Sequence, residues 1–300
     1  MCTEGRGRMN QTKQRAYAKI NLGLDVLRRR PDGYHEVKMV MQTVDIYDDL
    51  FLEKTEKPGV ELQIEGSELT AGKDNLICRA AELFMEEKGI AGGVKIRLVK
   101  RIPIAAGMAG GSSDAAATLR GMNELWETGC SAQELQKLGV RLGADIPYCV
   151  VGGTMLSEGI GEILTPLPAP PECVLLIAKP EISVSTKFVY ENLHADTLKS
   201  HPDIDGMVEA IRRGQLEGIT ERMGNVLETV TTRTYPVIEE IKTVMKEKGA
   251  ENALMSGSGP TVFGIFGQKE QAEAAAAILR EKDLAKQVFV TAFQEDIDGK

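Results

Sequence analysis

A chain of 300 residues is long enough for one large domain or two of ordinary size. Its 42% hydrophobic and 27% charged residues are the balance of a soluble globular fold, which excludes a fibrous or disordered chain. With 36 basic against 44 acidic side chains the net charge is −8, which argues against a nonspecific nucleic-acid binder and requires that any phosphate ligand be held by local fields.

The opening stretch "MCTEGRGRMNQTKQ" is polar and glycine-bearing, with no apolar signal core. Residues 1–15 are expected to be a loose tail, with Met9 as an alternative start. "AYAKINLGLDVL" then alternates. Ala16, Ala18, Ile20, Leu22, Leu24 and Val26 share one face, and Tyr17, Lys19, Asn21, Gly23 and Asp25 the other, which predicts a half-buried strand. Pro31-Asp32-Gly33 is turn chemistry, and "YHEVKMVMQTV" resumes as a strand. "VELQIE" and "VKIRLVKRI" are further strands. Between them Ile77, Ala80, Ala81, Phe84 and Met85 recur at helical spacing, and Gly89 stands where a helix stops. After a glycine loop, Leu119, Met122, Leu125 and Trp126 form an amphipathic stripe. "SAQELQKLGVRLG" opens with a capping-box pattern, Ser131 and Glu134, and Pro147 is expected to end that region. "VVGGTMLSEG" returns as a strand.

The proline-rich "TPLPAPPE", residues 165–172, is the candidate linker. Beyond it lie a strand "CVLLIAK", several helices, paired strands "ALMSGSG" and "TVFGIF", a helix "KEQAEAAAAILREK" and a last strand "QVFVTAF". That β-α-β-β-α-β order is the ferredoxin-like one. Five cysteines, an odd number without metal-ligand spacing, predict reduced thiols in a cytoplasmic protein. No apolar run is long enough to span a bilayer, so no membrane partner is expected.

The loop "IPIAAGMAGGSSDAAATL" joins a strand to a helix start. Glycines let backbone N–H groups turn inward, and the first helical turn adds free N–H groups and the positive end of the dipole. Ser112, Ser113 and Asp114 are all helix-capping types. The loop lacks the Gly-Lys-Ser/Thr ending of a P-loop, the Gly-x-Gly-x-x-Gly spacing and the Gly-x-Ser-x-Gly elbow. On composition it reads either as an anion cradle or as a tight strand-to-helix connection.

Residues 103–116, "PIAAGMAGGSSDAA", resemble the central motif of the galactokinase, homoserine kinase, mevalonate kinase and phosphomevalonate kinase superfamily. "AYAKINLGLDVLRRRPDGYHEVKMVMQTVD", "LGADIPYCVVGGTML" and "LMSGSGPTVFGIF" extend the resemblance across residues 16–266. The doubled Gly110-Gly111 ahead of Ser112-Ser113 resembles most the branch that phosphorylates the 2-hydroxyl of 4-(cytidine 5′-diphospho)-2-C-methyl-D-erythritol, on the non-mevalonate route to isoprenoid precursors. The resemblance implies an α+β fold of two domains. Residues 16–165 would be an α/β domain of the ribosomal S5 domain 2-like kind, and residues 172–295 a ferredoxin-like domain.

It also implies roles. Pro103, Gly107, Met108, Ala109, Gly110, Gly111, Ser112 and Ser113 would hold the phosphates of ATP, with Asn75 and Lys100 as nucleotide neighbours and Ser256 to Gly259 packed near the loop. Asp145 would be the base for the acceptor hydroxyl, with Lys19 beside it, since a nearby cation favours the carboxylate and neutralises charge on the moving phosphoryl group. Asn21 would touch substrate. Tyr34 would stack on cytosine, His35 would read its edge, and Tyr190, with Phe188 as runner-up, would supply the opposite wall. Mg²⁺ is expected with ATP, held mainly through phosphates; no residue is assigned as its ligand. The partners are thus ATP and a cytidylylated alcohol, without nucleic acid, and no oligomeric state is implied. The rivals are a kinase of another small alcohol, of the homoserine or mevalonate type, and a noncatalytic binding module. Tyr34-His35 counts against the first, and net acidity with Lys19 and Asp145 against the second.

Overall fold

The computed structural model describes residues 10–297, which form two compact units. Cys2 and the alternative start at Met9 lie outside the described residues. One unit is built from Tyr47–Arg101 and Gly111–Val151 with the start of the first strand; the other from Tyr17–Ile46, Ile102–Gly110 and the chain from Gly152 onward. Helices and mixed sheets make this an α+β fold, as expected.

Strands β1 (Gln11–Arg29) and β2 (His35–Thr55) each contribute to both units. The first unit adds β3 (Gly59–Glu65), α1 (Leu76–Lys88), β4 (Gly93–Val99), α2 (Gly110–Leu125), α3 (Ala132–Val140) and α4 (Ile146–Val151). β3 and β4 run parallel, which needs a crossover, and α1 supplies it. Asn75 caps α1 by accepting the Ile77 N–H at 3.0 Å, and Gly89 closes it in the left-handed region at φ 62°. Both halves of the Ser131–Glu134 capping box are made.

Two expectations are corrected here. Pro147 does not end a helical region but sits in the first turn of α4, where a missing N–H costs nothing. Residues 11–15, expected as loose tail, are strand. Their polar side chains are held by pairing that hydropathy does not register: Thr12 and Gln14 donate to Glu124, Lys13 pairs with Asp49, and Arg15 lies over the Tyr47 ring.

The second unit adds β5 (Thr154–Glu158), β6 (Ile163–Leu167), β7 (Val174–Lys179), α5 (Thr186–Glu191), α6 (Ile204–Arg212), α7 (Leu216–Thr220) and β8 (Gly224–Asn225). It continues with α8 (Glu228–Thr234), α9 (Val237–Glu247), β9 (Asn252–Met255), β10 (Val262–Phe266), α10 (Lys269–Glu281) and β11 (Gln287–Thr291). β11-β7-β10-β9 form one antiparallel sheet, the predicted ferredoxin-like order. α9 and α10 pack on it. The first three residues of the proline-rich stretch are not loop: residues 165–167 belong to β6, an edge strand where Pro166 loses no ladder bond it needs.

β1 was expected to be half-buried, yet residues 16–26 are buried on both faces. α6 closes on the second face: a Cβ at Gly23 would stand 2.7 Å from Ile204 and 3.2 Å from Met207. Ile20, Leu22, Met207, Leu175, Ile177, Phe263 and Ile265 share one core. Phe263 is fully buried at its centre. We expect Phe263→Ala to cost about 3–5 kcal/mol of unfolding free energy, measured by urea titration; a loss under about 1 kcal/mol would mean that the site collapses freely.

Candidate active site

The glycine-serine loop starts in the second unit with an unusual backbone. Ala105 (φ 50°), Gly107 (φ 72°) and Ala109 (φ 56°) all stand in the left-handed region. Alanine rarely stands there, so surrounding contacts impose this shape. At Gly107 they are visible: a Cβ would lie 2.2 Å from the Ser256 carbonyl oxygen. Ser256 Oγ donates to the Gly107 carbonyl at 3.0 Å, and the Lys19 N–H donates to the Met108 carbonyl at 3.2 Å. The loop is thus gripped by β1 on one side and by the Ser256–Gly259 turn on the other, a proximity the resemblance implied. Gly110 and Gly111, expected to turn the loop, instead open helix α2.

The covered face of β1 is polar, and its side chains find partners on β1 and on other segments. Lys19 Nζ donates to Asn21 Oδ1 at 2.7 Å, and Asn21 Nδ2 to Met39 Sδ at 3.2 Å. Asp25, two turns of the pleat further, holds His201 at 2.7 Å, a pair that no local pattern announced. Beyond the Asp32-Gly33 turn, His35 and Tyr190 come together, with ring centroids 5.1 Å apart and planes tilted by 41°. These residues are 155 positions apart in sequence, and the structure brings them side by side. Tyr34 is exposed, and Phe188 as well. Burial, with the charge of Arg29, holds the His35 imidazole below its ordinary pKa, which favours the neutral ring with one donor and one acceptor.

α2 begins at Gly110 and runs on in the first unit, so Ser112 and Ser113 lie within its first turn and are not its cap. There the backbone N–H groups have no intrahelical partner. The two serines differ. Ser112 is half-buried, whereas Ser113 is buried with its Oγ 3.3 Å from Cys149 Sγ on α4. Arg120 also fixes α4, donating to the Cys149 carbonyl at 2.8 Å. Asp145 stands immediately before α4, half-buried, its carbonyl accepting the Cys149 N–H at 3.1 Å. A groove of about 480 Å³ in this unit, lined by Lys13, Phe51, Lys95 and Arg97 among others, contains none of the expected site residues.

Residues 75–153 match the family described as GHMP kinases N terminal domain, and residues 207–283 the one described as GHMP kinases C terminal. The 4-diphosphocytidyl-2-C-methyl-D-erythritol kinase of Lachnoclostridium phytofermentans is 53% identical over 281 residues, 94% of this chain and 97% of that one. The chain belongs to the GHMP kinases. A crystal structure of 4-(cytidine 5′-diphospho)-2C-methyl-D-erythritol kinase superposes with a TM-score of 0.80 at 33% identity, covering 94% of this chain and 99% of that one. Homoserine kinase from Cytophaga hutchinsonii shares the fold, with a TM-score of 0.78 at 20% identity, over 99% of this chain and 98% of that one.

In this GHMP kinase Lys100 does not present its charge to solvent. Its ammonium is buried between Asp48, at 2.5 Å, and Asp114 of α2, at 2.7 Å. The Arg101 N–H closes on the other oxygen of Asp48. Sequence reading of the loop singled out Asp114 only as a capping type; its partners are 14 and 66 residues away and no local spacing joins them. Among the described residues, no three His, Cys, Asp or Glu side chains group so as to hold a metal, and no helix is long and apolar enough to cross a membrane.

Burial pushes the Asp114 carboxyl up to about 8; Asp48 adds to the shift and Lys100 opposes it. Its Oδ1 is buried without a hydrogen-bond partner, so nothing at that oxygen stabilises the ionised form. The folded chain therefore keeps a proton that an unfolded aspartate releases near pH 4. That stabilisation is complete below the ordinary carboxylate range and is lost as pH rises through about 8. We expect urea unfolding between pH 5 and pH 9 to show stability falling with pH in the wild type. Asp114→Asn, which keeps the shape and cannot ionise, should flatten that slope; an unchanged slope would remove Asp114 as its source.

Proposed function

We propose that this chain transfers the γ-phosphoryl group of ATP to the 2-hydroxyl of 4-(cytidine 5′-diphospho)-2-C-methyl-D-erythritol, a step toward isoprenoid precursors by the non-mevalonate route. The observation that carries the substrate is the pairing of His35 with Tyr190 beside exposed Tyr34, in the same unit as Lys19 and Asn21. A flat heteroaromatic base needs aromatic faces and a neutral donor-acceptor edge, and these residues supply both. Relatives 43–53% identical over most of the chain carry the name of this kinase. A homoserine- or mevalonate-type kinase would leave the aromatic group without a task.

The loop and the first turn of α2 suit the phosphates of ATP. The N–H groups of that turn and the positive helix end attract anions. Gly110 and Gly111 leave no side chain over them. Ser112 offers a hydroxyl at the helix start, while Ser113 supports α4 through Cys149. Mg²⁺ would neutralise phosphate charge, held mainly through phosphate oxygens and water. We assign Lys100 to fixing α2 through Asp114 and Asn75 to capping α1, and keep Asn75 as the nucleotide neighbour of the two because Lys100 is already held between two carboxyl groups.

Asp145 is assigned as the acceptor of the hydroxyl proton, and Lys19 as the cation that stabilises charge on the transferring group. The hydroxyl oxygen bonds to the γ-phosphorus, the bond to the bridging oxygen breaks, and ADP leaves. Such transfer depends mainly on positioning and electrostatics. We take residues 16–165 and 172–295 as its two domains, since the family matches fall on either side of the proline-rich stretch. The cytoplasm, where ATP is abundant, is the compartment this reading implies.

Two measurements test it. Asp145→Asn should lower kcat by about 10²–10⁴ with both Michaelis constants little changed; near-normal turnover in a folded variant would remove Asp145 from the chemistry. Tyr34→Ala and His35→Ala should each raise KM for the cytidylylated alcohol by an amount corresponding to about 1–3 kcal/mol and leave KM for ATP in place, the magnitude being taken from base stacking on aromatic side chains. If ATP affinity falls instead, the cytidine assignment is wrong. Homoserine and mevalonate assayed in parallel should yield no ADP.

A further inference from the structure

From β8 into the start of α8 runs "GNVLETV", a stretch without any catalytic pattern of its own. Its Asn225 is 7% exposed. The backbone of Asn225 is laid on the lysine strand: Asn225 pairs with Leu24 in parallel register, and the Val226 N–H donates to the Leu24 carbonyl at 3.1 Å. The side chain faces the Gly-Ser turn. Nδ2 donates to the Met255 carbonyl and to the Gly257 carbonyl, both at 2.8 Å, while Oδ1 accepts the Leu227 N–H at 3.0 Å. Both donors and the acceptor of one planar amide are used.

The turn has two further holds from the same segment. Thr231 Oγ1 donates to the Ser258 carbonyl at 3.3 Å, and Glu228 Oε1 accepts the Met255 N–H at 2.8 Å. Lys242 in turn pairs with Glu228 at 2.9 Å. This turn is the one whose Ser256 grips Gly107 of the phosphate loop. A circuit results: β1 to the loop through Lys19 N and Met108, the loop to the turn through Gly107 and Ser256, and the turn back to β1 through Asn225.

We infer that Asn225 is a positioning residue for nucleotide binding, which sets the phosphate loop against the lysine strand by clamping the Met255 and Gly257 carbonyls of the Gly-Ser turn. The inference rests on the proposed role of the loop as the ATP phosphate site. Asparagine is required chemically. Aspartate has the same shape but donates nothing, and it would set a carboxylate against two carbonyl oxygens. Leucine would fill the space and leave both carbonyls buried without donors. Loosening the turn releases the constraint that holds Gly107, Ala105 and Ala109 in left-handed conformations, and the loop N–H groups lose their fixed direction.

The experiment uses the full chain as wild type, Asn225→Asp and Thr231→Val. Binding of adenylyl imidodiphosphate with Mg²⁺ is measured by calorimetry, kinetics with both substrates varied, and folding by thermal melting. Asn225→Asp should raise the Kd of the analogue and KM for ATP by about tenfold, and Thr231→Val by about threefold, in line with the hydrogen bonds each removes. KM for the cytidylylated alcohol should stay within about twofold in both. A merely structural role would lower kcat with the folded fraction and leave the affinity of the folded protein as it was. Folded variants that bind the analogue like wild type, or lose affinity for the alcohol instead, overturn the inference. Should Asn225→Asp fail to fold, Thr231→Val, which keeps shape and loses one donor, decides alone. Analogue binding needs no acceptor alcohol, so a wild type inactive on the cytidylylated alcohol would sink the substrate proposal while leaving this one to its own result.

Discussion

The polar face of β1 is taken out of water, and that constraint organises the second unit. Lys19, Asn21 and Asp25 are each no more than 5% exposed. A buried charge or amide without a partner costs several kcal/mol, on the order of the whole margin of stability of a domain. Each therefore has to be met: Lys19 by Asn21, Asn21 by Met39, Asp25 by His201. Between them Gly23 gives room for α6, and the strand backbone lends Leu24 to β8 and the Lys19 N–H to the loop. Burial that looks expensive on a single strand thus determines which segments must come to it.

The same logic applies in the first unit to the start of α2. Lys100 sits between two carboxyl groups, and one of them, Asp114, belongs to the first turns of α2, where the proposed nucleotide site begins. Truncating one partner of such a cluster leaves the others buried and uncompensated. The cluster stays close to neutral because Asp114 holds a proton up to about pH 8. The strong charges at this end hold the helix still, and the proposed phosphate site relies on neutral, directional groups, the N–H groups of the helix start. This arrangement suits a reaction whose acceleration comes from placing donors around a phosphoryl group.

Much of the fold was legible in the chain. α1 could be read from its apolar stripe, its Asn75 start and its Gly89 stop, since all three act within a turn or two of the backbone. The capping box of α3 and the β-α-β-β-α-β order of the last strands could be read for the same reason. Local reading failed where partners were remote. Residues 11–15 looked like tail because their stabilising contacts, to Glu124, Asp49 and Tyr47, are supplied by other segments. β1 looked half-exposed because polar side chains were taken to face water, when in fact they face one another and α6.

The site divides along the same line. The sequence by itself determined the chemistry on offer: a loop with Gly107, Ser112 and Ser113, a strand with Lys19 and Asn21, an aspartate at 145, and an aromatic-histidine pair after a turn. Residue type and chain-local spacing suffice for that. Only the tertiary structure decided that Gly107 leaves no room for a side chain, because the Ser256 carbonyl stands where its Cβ would be. Only it turned Ser113 to Cys149, drew Lys100 away onto Asp48 and Asp114, and set Tyr190 against His35. The reason is physical: a side chain's type limits what it can bond to, but which bond it makes depends on which unsatisfied group the fold brings within about 3 Å.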